Sequence, residues 1–534
     1  MSLQRRPFTR RATIGGLGAL GSALALPPSA IAQATPRRGG VLTVVYITET
    51  QTIFAPGGGG GNPLLVSTKI LERLVRDDGD RFSGQLAERW EVQPDGRAIT
   101  FHLRRNAAWH DGAPFTSEDI VFNALDHWRQ VSGNPTLRAI SGAVATDAHT
   151  VRIEFGQPTP EGLALASLGG TETQVIPRHL YAGTDIRTNP RNNAPVGTGP
   201  FRFREWRRGS HVELVRNDAY WEQGTPHLDG IIIRYLQDPQ ARAAAFEAGE
   251  AQLGVGSPFP AAEMRRLMAT GRFDATDRGG LQEFMVVEMN TRTPQLADRR
   301  VRQAISHAID RTFIVNVAMT GFGRPGIGTV SDAYPQFFNP NVPTFAFDPA
   351  RAEALLDQAG HRRPRRGAPR FELRVVAAPW YPENVRTGQY MQQALDDVGI
   401  RVTLSTPDRA GAIRDIYQSY AFDLSVSNNV AYADPLMRST MLYTTDNITG
   451  TAFRNASGYS NPELDRLVAE AAREMDPARR VQLLHRVQHI AAEDLPVLVL
   501  AYKQNMTFAQ RSVRNHSVRP EWMYDSWKDL WLAA

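Results

Sequence analysis

Residues 86–122 read LAERWEVQPDGRAITFHLRRNAAWHDGAPFTSEDIVF, and this stretch carries the most specific pattern of the 534-residue chain. The segments Trp90–Val92 and Ile99–Leu103 flank Pro94-Asp95-Gly96, a tripeptide that favours a tight turn, so they predict a β-hairpin. Thr116 is followed three residues later by Asp119, which is the spacing of a helix capping box. The stretch therefore predicts two paired strands and then a helix.

Segments on both sides of this stretch extend the pattern over almost the whole chain. Together with residues 86–122 they resemble the family 5 extracellular solute-binding proteins, which include dipeptide-, oligopeptide- and nickel-binding proteins, and they occur in the family's order. Trp109–Gly112 and Thr198–Pro200 belong to the resemblance and are interpreted as scaffold, a packed turn and a tight backbone junction. The other segments are Pro195–Phe201, Arg216-Asn217, Tyr220-Trp221, Asn290-Thr291, Arg299–Ala304, Ala308–Arg311 and Tyr459–Asp465.

The resemblance implies an α/β, periplasmic-binding-protein-like fold, in which a hinge joins two α/β lobes and an additional smaller domain is present. Domain I would gather residues 35–75, 196–285 and 505–534, domain II would be 76–195 and domain III would be 286–504. Domains I and III would close on a ligand by a hinge motion.

The same resemblance implies the function. It predicts the substrate-binding protein of an ABC importer, which captures a peptide or a peptide-sized organic solute and delivers it to a permease with its ATPase. Such a protein is a monomer, performs no catalysis and needs no cofactor or metal.

The first 34 residues have the features of an export signal rather than of a folded domain. Arg5-Arg6 precede Pro7 and Phe8, as in the twin-arginine export motif, and a small-residue cleavage site ends at Ala34. A membrane anchor is the alternative, but the apolar run from Ala12 to Leu26 is shorter than the ~20 residues that a span needs. We therefore expect a mature protein of residues 35–534 in the periplasm, without a membrane anchor.

Charge and cysteine content exclude several other classes of protein. The formal charge of +5 comes largely from residues 1–34, which hold four arginines and no acidic residue. The rest of the chain is nearly neutral, so no nucleic-acid partner is expected. The absence of cysteine excludes disulfides, thiolate metal sites and a lipid anchor on cysteine.

Catalytic motifs do not support an enzyme. The chain has no Gly-x-Ser-x-Gly elbow, and no Gly-x-Gly-x-x-Gly leads from a strand into a helix. His485 and His489 have a zinc-like spacing, but Arg486 stands where a zincin has glutamate. Two other functions stay open: a chemosensory or chaperone-like binding protein without its own permease, and an exported hydrolase.

Local patterns predict further elements. Asp348-Pro349, Asn461-Pro462 and Asp476-Pro477 each place a capping side chain before a proline at the first helical position. Phe371–Ala377, a helix from about Asn384 to Val398 and Ile400–Leu404 predict a β-α-β unit with parallel strands. A short helix is also expected over residues 64–76.

Asp434 is the candidate ligand-binding carboxylate. Tyr432-Ala433-Asp434-Pro435 matches a loop in which dipeptide- and oligopeptide-binding relatives hold the amino terminus of the peptide with an aspartate. A carboxylate and an ammonium form a strong, charge-assisted hydrogen bond. The alternative is that Asp434 only caps the turn after Pro435. Leu436 and Met437 replace the second aspartate and the aromatic residue of the family pattern, so an ordinary peptide ligand is in doubt.

Other candidate contacts lie near strand ends or precede Asp434. The aromatic pair Trp380-Tyr381 follows a strand and either stacks on the ligand or is structural. The loop Phe54–Asn62 is another candidate, and it would contact the ligand through its backbone. The remaining candidates are hydrogen-bonding side chains: Asn428, Asn429 and Tyr432.

Overall fold

The computed structural model describes residues 35–57, 61–79, 81–277, 282–364, 368–518 and 522–533. The export signal expected in residues 1–34 lies outside the described residues. The described strands are β1 (Val41–Tyr46), β2 (Val75–Asp77), β3 (Phe82–Gly84), β4 (Ala87–Val92), β5 (Ala98–Leu103), β6 (Ile140–Asp147), β7 (Thr150–Phe155), β8 (Phe201–Arg207), β9 (His211–Arg216), β10 (Gly230–Tyr235), β11 (Leu253–Gly254), β12 (Phe273–Thr276), β13 (Gln282–Met289), β14 (Gly323–Pro325), β15 (Phe371–Ala377), β16 (Ile400–Ser405), β17 (Leu424–Ala431), β18 (Val497–Lys503), β19 (Thr507–Gln510), β20 (Val513–Arg514) and β21 (Trp531–Leu532).

Helices connect these strands, and none in the described ranges is long and apolar enough to cross a membrane. They are α1 (Gly61–Ser67), α2 (Ser117–Phe122), α3 (Arg129–Val131), α4 (Pro135–Arg138), α5 (Glu161–Leu168), α6 (Arg178–Tyr181), α7 (Pro239–Glu247), α8 (Ala261–Ala269), α9 (Pro294–Ala297), α10 (Arg299–Ala308), α11 (Arg311–Phe313), α12 (Pro349–Gln358), α13 (Pro382–Asp397), α14 (Arg409–Ile413), α15 (Pro462–Ala471) and α16 (Pro477–Asp494).

Two large sheets and a smaller one organise residues 37–534, which form one compact unit. Sheet A has the order β12-β19-β11-β1-β10-β9-β8, sheet B has β14-β18-β13-β17-β15-β16, and sheet C has β4-β5-β7-β6. The chain passes from sheet A to sheet B between Thr276 and Gln282 and returns between Lys503 and Thr507. The α/β class is confirmed, whereas the domain boundaries at 75, 195, 285 and 504 stay a prediction.

Sheet B is built around the β-α-β unit that the sequence predicts. Strand β15 pairs in parallel with β16 and with β17, and α13 connects β15 to β16. Helices α10, α12 and α13 bury their apolar sides against one face of the sheet. Helices α15 and α16 contribute to the cluster that holds Phe284 and Tyr502, residues of β13 and β18. The expected caps are present, because Asp348, Asn461 and Asp476 each accept a hydrogen bond from the first turn of the following helix.

Sheet C contains the predicted hairpin. Strand β4 pairs antiparallel with β5, and the capping box joins Thr116 and Asp119 at the start of α2. Trp109 is 2% exposed and packs against Phe115 beneath the turn that ends at Gly112. The packed turn expected at Trp109–Gly112 is therefore present.

The helix expected over residues 64–76 is wrong in its second half. Helix α1 ends at Ser67, and the backbone carbonyls of Lys69 and Ile70 accept hydrogen bonds from Phe201 and Gly199 instead. These contacts confirm the interpretation of Thr198–Pro200 as a tight junction. A side chain on Gly199 would meet the Ile70 carbonyl oxygen at 2.6 Å.

Candidate ligand-binding cleft

The parallel strands β15 and β17 run towards the same edge of sheet B, where β15 ends opposite Val426 and β17 continues to Ala431. Open α/β sheets bind ligands at this edge. Helix α13 begins just beyond β15, with Tyr381 before its first turn and Pro382 at the first helical position. In the neighbouring strand, Glu283 of β13 is paired in register with Val430 of β17. The edge thus collects residues from several strand ends.

An acidic corner, defined here as Glu283, Glu383, Tyr381 and Lys503, lies at this edge. The Tyr381 hydroxyl donates to Glu283 Oε1 over 2.8 Å. Lys503 Nζ lies 3.0 Å from Glu383 Oε1 and 3.6 Å from Glu283 Oε2, and it is 3.4 Å from the centre of the Tyr381 ring. Burial alone would lower the pKa of Lys503, but the charges of Glu283 and Glu383 outweigh it and raise that pKa. The charge of Glu283, followed by burial, raises the pKa of Tyr381.

Residues of sheet A and of the C-terminal segment approach the acidic corner from the other side. Tyr46, the last residue of β1, donates its hydroxyl to Asn62 Oδ1 over 3.1 Å. Burial, and then the charge of Glu283, raises the pKa of Tyr46. Tyr524 also acts on the ionisation of Tyr381. The two large sheets therefore face each other across this point.

Several buried polar atoms at the same edge lack a hydrogen bond within the described residues. They are both side-chain atoms of the Asn428 amide, Asn384 Oδ1, Trp380 Nε1 and Glu283 Oε2. Asn384 is completely buried, and Asn428 is 6% exposed. Buried polar groups in native proteins are nearly always hydrogen-bonded, to protein, water or ligand. The atoms of Asn428, Asn384 and Trp380 are therefore the candidate donors and acceptors for a polar ligand, whereas Glu283 Oε2 already lies 3.6 Å from Lys503 Nζ.

A second group of charges, the arginine corner, consists of Arg438, Arg454 and Glu172. Arg438 Nε donates to Asn429 Oδ1 over 3.1 Å. Arg454 Nη2 donates to the carbonyl of Gly133 over 3.0 Å, so it joins the sheet B side of the molecule to the sheet C side. Burial raises the pKa of Glu172 against the opposing effects of its hydrogen bonds and of both arginines.

Asp434 is buried and already has partners. Its Oδ1 accepts hydrogen bonds from the Leu436 backbone over 3.0 Å and from Arg480 Nη2 over 2.9 Å, and its Oδ2 lies 2.7 Å from Arg480 Nη1. The capping that sequence analysis offered as the alternative is therefore present. A role in holding a ligand amine stays a prediction.

The other predicted site residues fall in three places. Asn428 and Trp380 carry buried side-chain atoms without a hydrogen-bond partner among the described residues, and Tyr381 belongs to the acidic corner. Asn429 holds Arg438, and Tyr432 packs against the core of sheet A. Phe54 is 2% exposed in that core, with its ring 5.8 Å from His127, and its contact with a ligand stays a prediction.

Sequence analysis missed Glu283, Lys503, Tyr46 and the arginine corner. A usable signal existed for the first two, because Glu283 lies just before the predicted crossing between lobes near residue 285 and Lys503 just before the one near residue 505. No local pattern marks the others, which come together only through the folding of distant segments.

A cation site at the cleft is not indicated by the described residues. Glu205, His211 and Glu213 do place ligand-type atoms within 4.8 Å of one another. They lie on β8 and β9, at the edge of sheet A, where Arg207 and Arg204 already pair with the two carboxylates at 3.1 Å and 2.8 Å. The cluster is therefore a network of surface ion pairs.

Comparison with known proteins agrees with this architecture. The model of the bacterial extracellular solute-binding proteins, family 5, matches residues 81–450. The glutathione-binding protein GsiB of Salmonella choleraesuis is 27% identical over 476 residues, which cover 85% of this chain and 88% of that protein.

Solved structures show the same fold. The binding protein AgaA from A. tumefaciens R10, in complex with agropinic acid, is 26% identical, with a TM-score of 0.77 over 93% of this chain and 99% of AgaA. NikA from Brucella suis, in complex with Fe(III)-EDTA, is 23% identical, with a TM-score of 0.81 over 92% of this chain and 100% of NikA. The predicted periplasmic-binding-protein-like fold is confirmed.

Proposed function

This chain belongs to the bacterial extracellular solute-binding proteins of family 5, and we propose that it is the substrate-binding component of an ABC importer. It captures a peptide or a peptide-sized organic solute between sheets A and B and delivers it to a permease with its ATPase. We further propose that it works as a monomer in the periplasm after export by its twin-arginine signal, and that it carries out no chemical step.

The observation that carries the proposal is the set of unbonded polar atoms at the carboxyl edge of sheet B. Asn428 supplies both a donor and an acceptor, Trp380 supplies an N–H, and Asn384 supplies an oxygen. Leaving such groups buried without a partner costs about 1–3 kcal/mol each. A solute that bonds to them recovers this free energy only when the cleft is closed around it, which gives the closed form its differential affinity.

Residues predicted as contacts take different parts in this proposal. Asn428 and Trp380 bond to the solute directly, and Tyr381 orients Glu283 towards it. Asn429 positions Arg438 of the arginine corner, and Tyr432 packs against the core of sheet A. Asp434 fixes the loop that carries Tyr432, and the segment from Phe54 closes the side of sheet A. The hinge lies where the chain crosses between sheets A and B, between proposed domains I and III.

The test is a thermal-shift screen of residues 35–534 after unfolding and refolding to remove bound solute. The panel contains di- to pentapeptides, glutathione, agropinic acid, oligosaccharides and nickel chelates. A solute that binds the folded state raises the midpoint of unfolding, and calorimetry then gives its affinity. We expect at least one class to bind.

Matched variants assign the binding to the cleft. Asn428→Ala should weaken the best solute about tenfold, as expected for a lost buried hydrogen bond. Asn106→Ala is the control, because Asn106 is exposed and bonds to the Trp221 carbonyl near sheet C. Equal effects of the two variants would place the site elsewhere, and a failure of every class, with no small molecule released on unfolding, would refute the proposed function.

A further inference from the structure

A cavity of about 250 Å³ lies behind sheet B, away from the cleft. It is enclosed by the carboxyl-terminal half of α16, by the first half of β18 and by the segment that connects β14 to α12. The exposed residues Thr344 and Ala346 mark its mouth. Its walls are mainly apolar and include Ile327, Val330, Val342, Phe345, Leu495 and Val497.

The cavity and the solute cleft lie towards opposite ends of β18. Val499 lines the cavity, whereas Lys503 of the acidic corner lies four residues further along the strand. At ~3.3 Å per residue, about 13 Å separates the two positions. The residues that line the cavity include no member of the acidic corner or of the arginine corner, so the two sites are distinct.

Hydrogen bonds fix the outer wall of this cavity. Residues 326–348 form no helix or strand, and irregular segments of this length in a compact domain usually have a function. The Tyr502 hydroxyl donates to the Gly328 carbonyl over 2.7 Å, and Gln488 Nε2 donates to the Phe337 carbonyl over 2.8 Å. Protein interiors are otherwise close-packed. A void whose walls are tied in this way is therefore a built feature of the fold.

Arg311, the first residue of α11, lines the cavity and donates only to neutral acceptors. Its Nε bonds to the Val499 carbonyl over 3.2 Å, its Nη1 to the Phe345 carbonyl over 2.9 Å, and its Nη2 to Ser306 Oγ over 2.9 Å. A guanidinium has five N–H groups, so each terminal nitrogen keeps one N–H that bonds to no described residue. None of the described residues that line the cavity is Asp or Glu. The positive charge therefore has no counter-charge in the cavity wall.

Two other buried arginines show how Arg311 differs from a purely structural arginine. Arg242 and Arg302 also donate to backbone carbonyls. Burial lowers the pKa of both, but a nearby carboxylate opposes this effect, Asp238 for Arg242 and Asp494 for Arg302. Burial lowers the pKa of Arg311 to about 10, and no carboxylate of the described chain opposes it. Because a buried charge without compensation is costly, an anion would stabilise Arg311 where the other two need none.

We propose that this cavity is a second ligand site, separate from the solute cleft, and that it binds a small apolar monocarboxylate such as a short fatty acid or an aromatic acid. The carboxylate accepts the remaining N–H of each terminal nitrogen of Arg311, and the apolar part packs against Val330, Val342 and Leu495. An apolar cavity of roughly 150 Å³ holds benzene. The volume of about 250 Å³ therefore accommodates a ring or a short alkyl chain together with its carboxylate.

Calorimetry of the purified protein with benzoate, phenylacetate and hexanoate tests the site, each acid beside its neutral amide. At least one acid should bind, about tenfold or more tightly than its amide, as expected for charge-assisted hydrogen bonds. Arg311→Gln should remove the preference for the acid. Ala492→Phe should abolish binding of acid and amide alike, because Ala492 lines the cavity and the added ring fills it. Arg386→Gln is the control and should bind as the wild type does, since Arg386 is exposed and donates to the Ala318 carbonyl over 2.8 Å.

The outcomes separate this inference from the proposed function, because the site uses no cleft residue. If none of the acids binds, or if acid and amide bind equally well, the inference is overturned whatever the solute screen finds. Loss of acid binding in Asn428→Ala, with none in Ala492→Phe, would place the acid in the cleft and would also overturn it. Melting of the unliganded variants verifies that they are folded. Should Arg311→Gln fail to fold, the acid preference of the wild type and the effect of Ala492→Phe still decide the matter.

Discussion

Asp434 and Arg480 form an ion pair inside the protein, with Arg480 Nη1 2.7 Å from Asp434 Oδ2. The side chain of Arg480 is 5% exposed and that of Asp434 is 2% exposed. Arg480 lies in the first turns of α16, and Asp434 caps the 3-10 helix that leads to Arg438. The pair therefore ties the loop of the arginine corner to the helical layer behind sheet B.

Asp434→Asn should destabilise the protein strongly, because it leaves the buried Arg480 without its counter-charge. Breaking a buried pair in this way costs about 3–5 kcal/mol. We expect a clearly lower urea midpoint, while calorimetry at a temperature where the variant is folded should show solute affinity close to that of the wild type.

Glu372→Gln is the matched control for this prediction. Glu372 pairs with Arg401 at 3.3 Å on the surface, where such pairs contribute at most about 1 kcal/mol. A large loss of solute affinity in Asp434→Asn, with little loss of stability, would instead support the amine contact that the sequence suggests.

Stability should fall as the pH rises from about 5 to 8, owing to buried glutamates. Burial raises the pKa of Glu288 to about 7, although Ser425 Oγ donates to it over 2.9 Å. Because the folded state keeps this proton and the unfolded state loses it near pH 4.5, the stabilisation is complete below that pH and is lost as the pH rises through about 7. Glu72, with a pKa also raised to about 7 by burial, acts in the same direction.

Glu288→Gln isolates one share of this effect. The amide cannot ionise. The free energy of unfolding of the variant should therefore fall less between pH 5 and pH 8 than that of the wild type, by about 3 kcal/mol at 1.36 kcal/mol for each pKa unit. Denaturation curves at several pH values measure the slope. An unchanged slope in the variant would show that Glu288 does not titrate in this range.

Sequence patterns gave correct elements where the determinants are local. The β15-α13-β16 unit follows from two apolar runs and a helical period between them, and the caps at Asp348, Asn461 and Asp476 follow from neighbouring residues. The prediction of a helix over 64–76 was wrong beyond Ser67, because the carbonyls of Lys69 and Ile70 accept hydrogen bonds from Phe201 and Gly199, respectively, more than a hundred residues away.

The cleft was harder to predict because its geometry is set by pairing between distant strands. Asn428, Trp380 and Tyr381 were found through their positions beside strand ends and Asp434. Glu283 reaches Tyr381 only because β13 inserts between β17 and β18, an arrangement that depends on both crossings of the chain. The sequence motif identified Asp434 but left its role open. Its partner Arg480 lies 46 positions further along the chain, so no local pattern could reveal the ion pair.

Gly199→Ala should be among the more damaging single substitutions outside the core. The added Cβ would lie 2.6 Å from the Ile70 carbonyl oxygen and 2.8 Å from that of Lys69, and backbone atoms cannot move aside easily. We expect a loss of about 1–3 kcal/mol by urea denaturation. Gly162→Ala in α5 is the control, because nothing lies within 4 Å of its new Cβ and alanine favours a helix, so a slight gain is expected. Similar results for both variants would contradict the close approach at Gly199.

Lys503→Met should destabilise the acidic corner through repulsion between Glu283 and Glu383. Lys503 Nζ lies 3.0 Å from Glu383 and 3.6 Å from Glu283, so its removal leaves two half-buried carboxylates without a cation. Glu383→Gln in the same chain should restore part of the loss, because one carboxylate then remains. Residues in one such network show coupling energies of about 0.5–3 kcal/mol. Unfolding midpoints of the two single variants and the double variant measure this coupling, and strictly additive effects would show that Lys503 does not hold the two acids together.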